Sequence, residues 1–121
     1  TYKLDVAVPG PSIGRLLEVA RAAAVRQGAR LVPFGHLAEG NIHLNFHDTS
    51  RPDDIAESVL AAVAEFGGTI SAEHGVGIAK TRWLHLVRSP GDLSAQRSIK
   101  QALDPNGILN PGVLDPSAAR R

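Results

Sequence analysis

Apolar and polar positions alternate along residues 3–8 at the start of the chain. Period two is the spacing of side chains on one face of a β-strand, so this stretch predicts a strand, which Pro9-Gly10-Pro11 closes. From Ser12, which can cap a helix, apolar residues then recur at helical spacing until Gly28. The first part of the chain therefore predicts a strand followed by an amphipathic helix.

Two more strands, 30–37 and 42–47, are predicted around a turn in which Gly40 and Asn41 tolerate positive backbone angles. A second helix, about 53–66, ends at Gly67-Gly68, and 69–73 is a fourth short strand. The order βαββαβ is that of a ferredoxin-like unit, an α+β fold with one antiparallel sheet and two helices on one face. We assign this unit to 1–78 and a helical tail to 79–121, with helices at 80–86 and 93–103 and an irregular segment at 104–114.

The predicted hairpin places two histidines on one face. With a four-residue turn, His36 lies directly opposite His43, with β-carbons roughly 5 Å apart, so that two imidazoles can share one ion. Asn45 lies on the same face, and so does His47, whose position at the strand end favours a solvated side chain. The predicted core layer is the opposite face, formed by Leu31, Pro33, Leu37, Ile42, Leu44 and Phe46.

A catalytic zinc-like site usually takes three protein ligands, and Glu73 is the best third candidate. It lies in Ser71-Ala72-Glu73-His74-Gly75-Val76-Gly77, where a strand runs into a glycine-rich turn. The alternative is that Glu73 only caps this turn or pairs with Lys80 or Arg82. Spacing alone leaves both interpretations open.

His74 is the candidate general base because imidazole titrates near neutral pH, and its alternative role is that of a hydrogen-bonded structural histidine. Lys80 and Arg82 are weaker candidates for holding a substrate carboxylate, since most such residues on short helices face solvent. Glu39 is expected to be a solvated turn residue.

Composition narrows the functional classes. A net charge of +1 and five aromatic residues do not suggest nucleic-acid binding. The absence of cysteine excludes disulfides and thiolate ligands, so a metal must use His, Asp or Glu. No apolar run reaches bilayer length and no signal pattern is present, so a cytoplasmic location is expected, with peripheral membrane association of a parent enzyme left open. The chain lacks methionine and begins at Thr1, which favours a fragment of a longer polypeptide.

Three motifs resemble a known family. The motifs are Gly35-His36-Leu37-Ala38-Glu39-Gly40-Asn41-Ile42-His43-Leu44-Asn45, then Glu73-His74-Gly75-Val76-Gly77, then Lys100 with Leu103-Asp104-Pro105 and Ile108-Leu109-Asn110-Pro111-Gly112. Their order and spacing resemble the C-terminal domain of FAD-linked oxidases, a family that includes D-lactate dehydrogenases, the glycolate oxidase large subunit and D-2-hydroxyglutarate dehydrogenase. The opening strand is also similar to the one that begins the second half of that family's cap.

The resemblance implies a metal site formed by His36, His43 and Glu73, with a divalent ion that is usually zinc. It implies that Asn45 contacts the substrate and that His74 is the base beside the flavin ring, and Lys80 is retained as a second substrate-binding residue. The residues next to the cofactors would be Asn110, Glu73 and His74. The implied reaction is oxidation of a 2-hydroxy acid to a 2-oxo acid, with hydride transfer to FAD.

The chain departs from the family in Ala38-Glu39-Gly40, where Gly-Asp-Gly is common. The flavin domain and the first half of the cap have no counterpart here, so the fragment alone is expected to be inactive and to need the flavin-binding domain as a partner. Exposed apolar surface also predicts self-association. The predicted fold leaves one strand between the hairpin and the strand bearing Glu73, so their ends must bend together. Two alternatives remain, a self-sufficient metal-binding or regulatory module without flavin and a metal-dependent hydrolase.

Overall fold

The computed structural model describes residues 1–113 and has an α+β fold. The end of the predicted tail, 114–121, lies outside the described residues. Two compact units divide the chain, Thr1–Gly75 and Val76–Arg121. Across the described residues, no helix is both long enough and apolar enough to cross a membrane.

The first unit contains a three-stranded antiparallel sheet. Its strands are β1 (Tyr2–Ala7), β2 (Arg30–His36) and β3 (Asn41–His47), in the spatial order β1-β3-β2. Two helices, α1 (Ile13–Arg26) and α2 (Pro52–Glu65), contact each other, and they contact β2 and β1 respectively. Strand order and helix placement agree with the ferredoxin-like prediction.

The core lies on one face of β1 and β3, the face that carries Leu4, Ile42, Leu44 and Phe46. These side chains are almost completely buried, as are the inward positions of both helices, because alternation in a strand and 3.6-residue spacing in a helix each collect apolar groups on one side. The largest of the fully buried residues are Phe46, Leu4, Leu16, Ile42, Leu44, Ile55, Leu60 and Ile70. The opposite face of β3 is left for the polar residues Asn41, His43 and Asn45.

The predicted fourth strand is reduced to one isolated antiparallel bridge between Ala7 and Thr69. Two backbone hydrogen bonds form it, Thr69 N–H to Ala7 O at 2.8 Å and Ala7 N–H to Thr69 O at 3.0 Å. The bridge lies beside β1, where the fourth strand of a ferredoxin-like sheet would pair. The strand does not continue because the next backbone amides, at 72–74, donate to the side chain of Asp5.

The predicted hairpin register is wrong by two residues. His36 is paired with Asn41, and Phe34 is the residue directly opposite His43. The turn still has four residues but begins one residue earlier than predicted, because Leu37–Glu39 form a 3-10 helix, after which Gly40 adopts a left-handed conformation with φ of 71°. A shift of two residues keeps every side chain on its predicted face.

The predicted core layer also includes residues of β2 and the turn that are not buried. Pro33 and Leu37 are exposed, and Leu31 is only half-buried. Leu37 belongs to the turn and not to a strand. β2 is an edge strand, so the side chains of β2 have fewer neighbours than those of the central strand β3.

The second unit contains α3 (Gly77–Lys80), a 3-10 helix over Thr81–Leu86 and α4 (Pro90–Leu103). The start of α4 carries a capping box, in which the Ser89 side chain accepts from the Asp92 amide and the Asp92 side chain accepts from the Ser89 amide. This box places the start of the helix three residues before the predicted one.

Asp104 follows α4 and organises the segment after it. Its carboxylate accepts the backbone N–H of Ile108 and of Leu109, each at 2.9 Å, and also binds Lys100. The hydrogen bond from Lys100 is the main reason that the pKa of Asp104 is lowered, and the backbone N–H donors act in the same direction. One carboxylate therefore holds the first part of the Ile-Leu-Asn-Pro-Gly motif.

Candidate metal and substrate site

His43, in the middle of β3, is the centre of a cluster of rings on the polar face of the sheet. Its side chain is 12% exposed. The ring of Phe34 lies 5.0 Å from it between centroids, and the ring of His74 stacks on it at 5.4 Å with an interplanar angle of 24°. The ring of His36 approaches edge-on at 6.2 Å. These neighbours restrict the orientation of the His43 ring.

The two nitrogens of His43 face two different carboxylates. Nδ1 lies 3.4 Å from Asp5 Oδ1, and Nε2 lies 3.1 Å from Glu73 Oε1. His36, His43 and Glu73 each offer one donor atom, and these three atoms all lie within 4.8 Å of one another. The structure thus brings together the three candidate ligands that the sequence suggested.

Glu73 reaches the hairpin from the far side of β1 through two sets of hydrogen bonds. The backbone N–H groups of Ala72, Glu73 and His74 all donate to Asp5 Oδ2, at 3.0–3.1 Å. Asn41 Nδ2 donates to Glu73 Oε1 at 3.0 Å. The first set holds this segment beside Asp5, in the middle of β1, and the second fixes the carboxylate beside His43. This is the bend that the strand order required.

A second group of possible metal donors consists of Asp5, His43 and His74. It fits a cation less well, because Asp5 is buried and its Oδ2 already accepts three N–H groups, whose positive ends repel a cation. In the first group, His36 and Glu73 are exposed, and Glu73 retains 47% of its side-chain surface. Two imidazoles and one carboxylate are a common ligand set for zinc with one position left for water or substrate. The first group is the better fit.

Asp5 and Asn41 are the site residues that the sequence reasoning did not identify. The sequence pattern predicts Asn41 in the turn, yet it begins β3 and is buried, with its amide donating to Glu73. In the sequence, Asp5 is one of the polar positions in the alternation that predicts the first strand. The available signal was its position in the middle of β1, since aspartate is depleted from strands and an internal one often has a specific partner.

The remaining predicted residues of the first unit are placed as follows. Asn45 is half-buried, on the same face as His43, and pairs with Val32 of β2. His47, at the end of the strand, has its Nδ1 2.9 Å from the hydroxyl of Thr1. Glu39 is exposed in the turn. Asn45 therefore remains a candidate for substrate contact.

Three further candidates belong to the second unit. Lys80 is buried, whereas Asn110 is exposed and has a positive φ of 43°. The guanidinium of Arg82 lies over the ring of Trp83, 4.0 Å from its centroid, which is a cation–π arrangement. The side chain of Arg82 thus has a local structural contact.

Comparison with known proteins gives the same family as the motifs. The sequence profile of FAD linked oxidases, C-terminal domain, matches residues 1–114. The chain belongs to this family. An FAD-linked oxidoreductase of Mycobacterium tuberculosis is 39% identical over 113 residues, which cover 92% of this chain and 25% of the relative.

Two other members of the FAD-linked oxidase family carry more specific names. The mitochondrial D-2-hydroxyglutarate dehydrogenase of Danio rerio is 35% identical over 92% of this chain and 22% of its own length. Glycolate oxidase subunit GlcD of Bacillus subtilis is 33% identical over 97% of this chain and 26% of its own length. The chain thus spans about a quarter of the length of the curated relatives that it matches. It is a C-terminal domain from a family of oxidoreductases that use FAD.

Proposed function

We propose that the first unit holds a divalent metal ion, with zinc as the first candidate, and binds a small 2-hydroxy acid for oxidation to the 2-oxo acid by an FAD-dependent enzyme. One observation carries the proposal: the donor atoms of His36, His43 and Glu73 converge within 4.8 Å of one another. The names of the relatives support the substrate class, because glycolate and D-2-hydroxyglutarate are both 2-hydroxy acids.

The ligand set suits the proposed substrate. His36 and His43 would be neutral donors and Glu73 an anionic one, which leaves a bound divalent ion with net positive charge. Such an ion would supply a Lewis acid that binds the hydroxyl and carboxylate oxygens of a 2-hydroxy acid. The exposure of His36 and Glu73 leaves this side of the cluster open to a small molecule.

His74 is the proposed base. Its imidazole is 68% exposed and stacks on His43, so it borders the metal cluster and remains accessible to a substrate. In the proposed reaction, His74 takes the proton of the substrate hydroxyl while the C–H bond breaks and a C=O bond forms. Asn45, on the same face, would donate a hydrogen bond to a substrate oxygen. The flavin, held by another part of the enzyme, would supply the acceptor of the hydride.

Zinc titration by calorimetry tests the metal site. We expect the wild type to bind one ion per chain. Zinc affinity should fall in His36→Ala and in Glu73→Gln by more than the about 10–100-fold that is typical when a residue contacting a metal ligand is changed. His47→Ala is the matched control, because His47 lies on the same face of β3 but bonds to Thr1. Equal affinity in wild type, His36→Ala and Glu73→Gln would refute the site.

Substrate binding is tested separately, on the zinc-loaded chain. We expect glycolate and D-2-hydroxyglutarate to shift the NMR signals of His74 and of the Asn45 side chain, with weaker shifts when zinc is absent. Zinc binding without any response to 2-hydroxy acids would favour the metal-binding module. Flavin-independent ester hydrolysis that disappears in His43→Ala would favour the hydrolase instead.

A further inference from the structure

Asp5 contacts the chain at two of the three proposed metal ligands, His43 and Glu73, although it is not itself one of the ligands. It lies in the middle of β1, paired with His43 of β3, and its side chain is 6% exposed. Oδ2 accepts the N–H groups of Ala72, Glu73 and His74, and Oδ1 faces Nδ1 of His43. One buried carboxylate thus contacts a metal-ligand side chain and the backbone that bears the other two functional groups.

The position of Oδ1 has a consequence for the ring of His43. A neutral imidazole carries its proton on one nitrogen and a lone pair on the other, and only the lone pair binds a metal. Oδ1 lies 3.4 Å from Nδ1, a contact between the two groups that is longer than the about 3 Å of a usual hydrogen bond and does not form one. A carboxylate at this place favours a proton on Nδ1, whereas Glu73 Oε1, 3.1 Å from Nε2, favours a proton there when no ion lies between them. With an ion between Nε2 and Glu73, the Nδ1–H form would direct the lone pair of Nε2 at that ion.

We propose that Asp5 is the positioning residue of the site: its Oδ1 keeps the His43 proton on Nδ1, and its Oδ2 holds the backbone turn that presents Glu73 and His74. The proposal deepens the proposed function and rests on it for the role of Nε2 as a metal ligand. Histidine ligands commonly donate their second N–H to a carboxylate, which sets the tautomer and orients the ring.

The substitution Asp5→Asn separates the two roles of the carboxylate. The amide oxygen of asparagine can still accept the three N–H groups at 72–74, so the turn is kept. Its NH2 group then faces Nδ1 of His43 as a donor, which forces Nδ1 to accept and moves the ring proton to Nε2. We expect zinc affinity to fall about 10–100-fold in Asp5→Asn, with the fold retained. Zinc affinity equal to that of the wild type would overturn the proposal.

The tautomer itself is read by 15N NMR of the histidine ring in the metal-free chain, at about pH 9, where an ordinary imidazole is neutral. The measurement uses a Glu73→Ala background, because the Glu73 carboxylate competes for a proton on Nε2. We expect the Nδ1–H form of His43 with Asp5 in place and the Nε2–H form after Asp5→Asn. Loss of the turn alone would not exchange the two tautomers, so this readout distinguishes positioning from a purely structural role.

The two readouts keep the proposals apart. An Nε2–H form of His43 in Glu73→Ala, with Asp5 intact, would overturn the positioning role even if Asp5→Asn failed to fold. Absence of zinc binding in the wild type, with His43 in the Nδ1–H form, would refute the metal site while supporting the action of Asp5 on His43.

Discussion

Gly40 is the residue at which the hairpin turn meets Val8, directly after β1, and substituting it should lower stability. A β-carbon built on Gly40 would lie 2.1 Å from the carbonyl oxygen of Val8, and φ at Gly40 is 71°. Val8 also donates its N–H to Gly40 O at 3.1 Å. Gly40→Ala therefore introduces a backbone clash, a strained φ and a weakened hydrogen bond in the turn between His36 and His43.

Two other glycines separate these effects. Gly28 has φ of 62° but open space around its β-carbon position, and Gly14 has open space within α1. A left-handed conformation costs a residue with a β-carbon about 1–2 kcal/mol, and forced overlap in a packed region costs typically about 1–3 kcal/mol more. We expect Gly40→Ala to lower the free energy of unfolding by about 3 kcal/mol or more, and Gly28→Ala by about 1 kcal/mol. Gly14→Ala should raise it by up to about 1 kcal/mol.

Urea denaturation followed by circular dichroism measures all three variants. The denaturation midpoint should fall most for Gly40→Ala, less for Gly28→Ala and should rise for Gly14→Ala, with the slope unchanged. If Gly40→Ala were no less stable than Gly28→Ala, the contact between the turn and Val8 would contribute nothing and the reasoning would be refuted.

Three further predictions concern other parts of the chain. Asp104→Asn should lower the melting temperature above pH 3.8, because a carboxyl group with a lowered pKa stabilises the fold only while it is ionised. The difference in melting temperature from wild type should shrink as the pH falls below 3.8, and a difference independent of pH would contradict this. Ser89→Ala removes half of the capping box and should cost about 1 kcal/mol in urea denaturation, whereas Ser98→Ala, within α4, should cost less. Exposed Val32, on β2, predicts self-association that light scattering at high concentration should detect and Val32→Lys should reduce.

Sequence patterns predicted the elements whose formation depends on neighbouring residues in the chain. The alternation in β1 and the helical spacing of α1 and α2 each depend on residues close together in the chain, and the structure confirms these elements within a few residues. The face of His36 and His43 was also predictable, because it depends only on parity, which survives a register shift of two.

The register itself and the fourth strand depend on contacts that local patterns do not report. The turn begins one residue earlier than predicted, and its Gly40 closely approaches Val8, a residue far away in sequence. The segment after Thr69 stops pairing as a strand because Asp5 offers its amides a better acceptor than a neighbouring backbone does. Both outcomes depend on contacts of β1 or the residue after it with later parts of the chain, so neither can be predicted from a single stretch of sequence.

The curl at residues 72–74 has a consequence for local motion. Its three amides share one acceptor atom, Asp5 Oδ2, instead of being distributed along a strand partner. Movement of this oxygen away from the segment breaks all three hydrogen bonds at once and leaves the hydrogen bonds of the sheet intact. Hydrogen exchange at Ala72, Glu73 and His74 should therefore occur as one cooperative event, with an opening free energy below that of global unfolding. The carboxylate of one residue would thus set how often Glu73 leaves His43, and so how rapidly a bound ion can be exchanged.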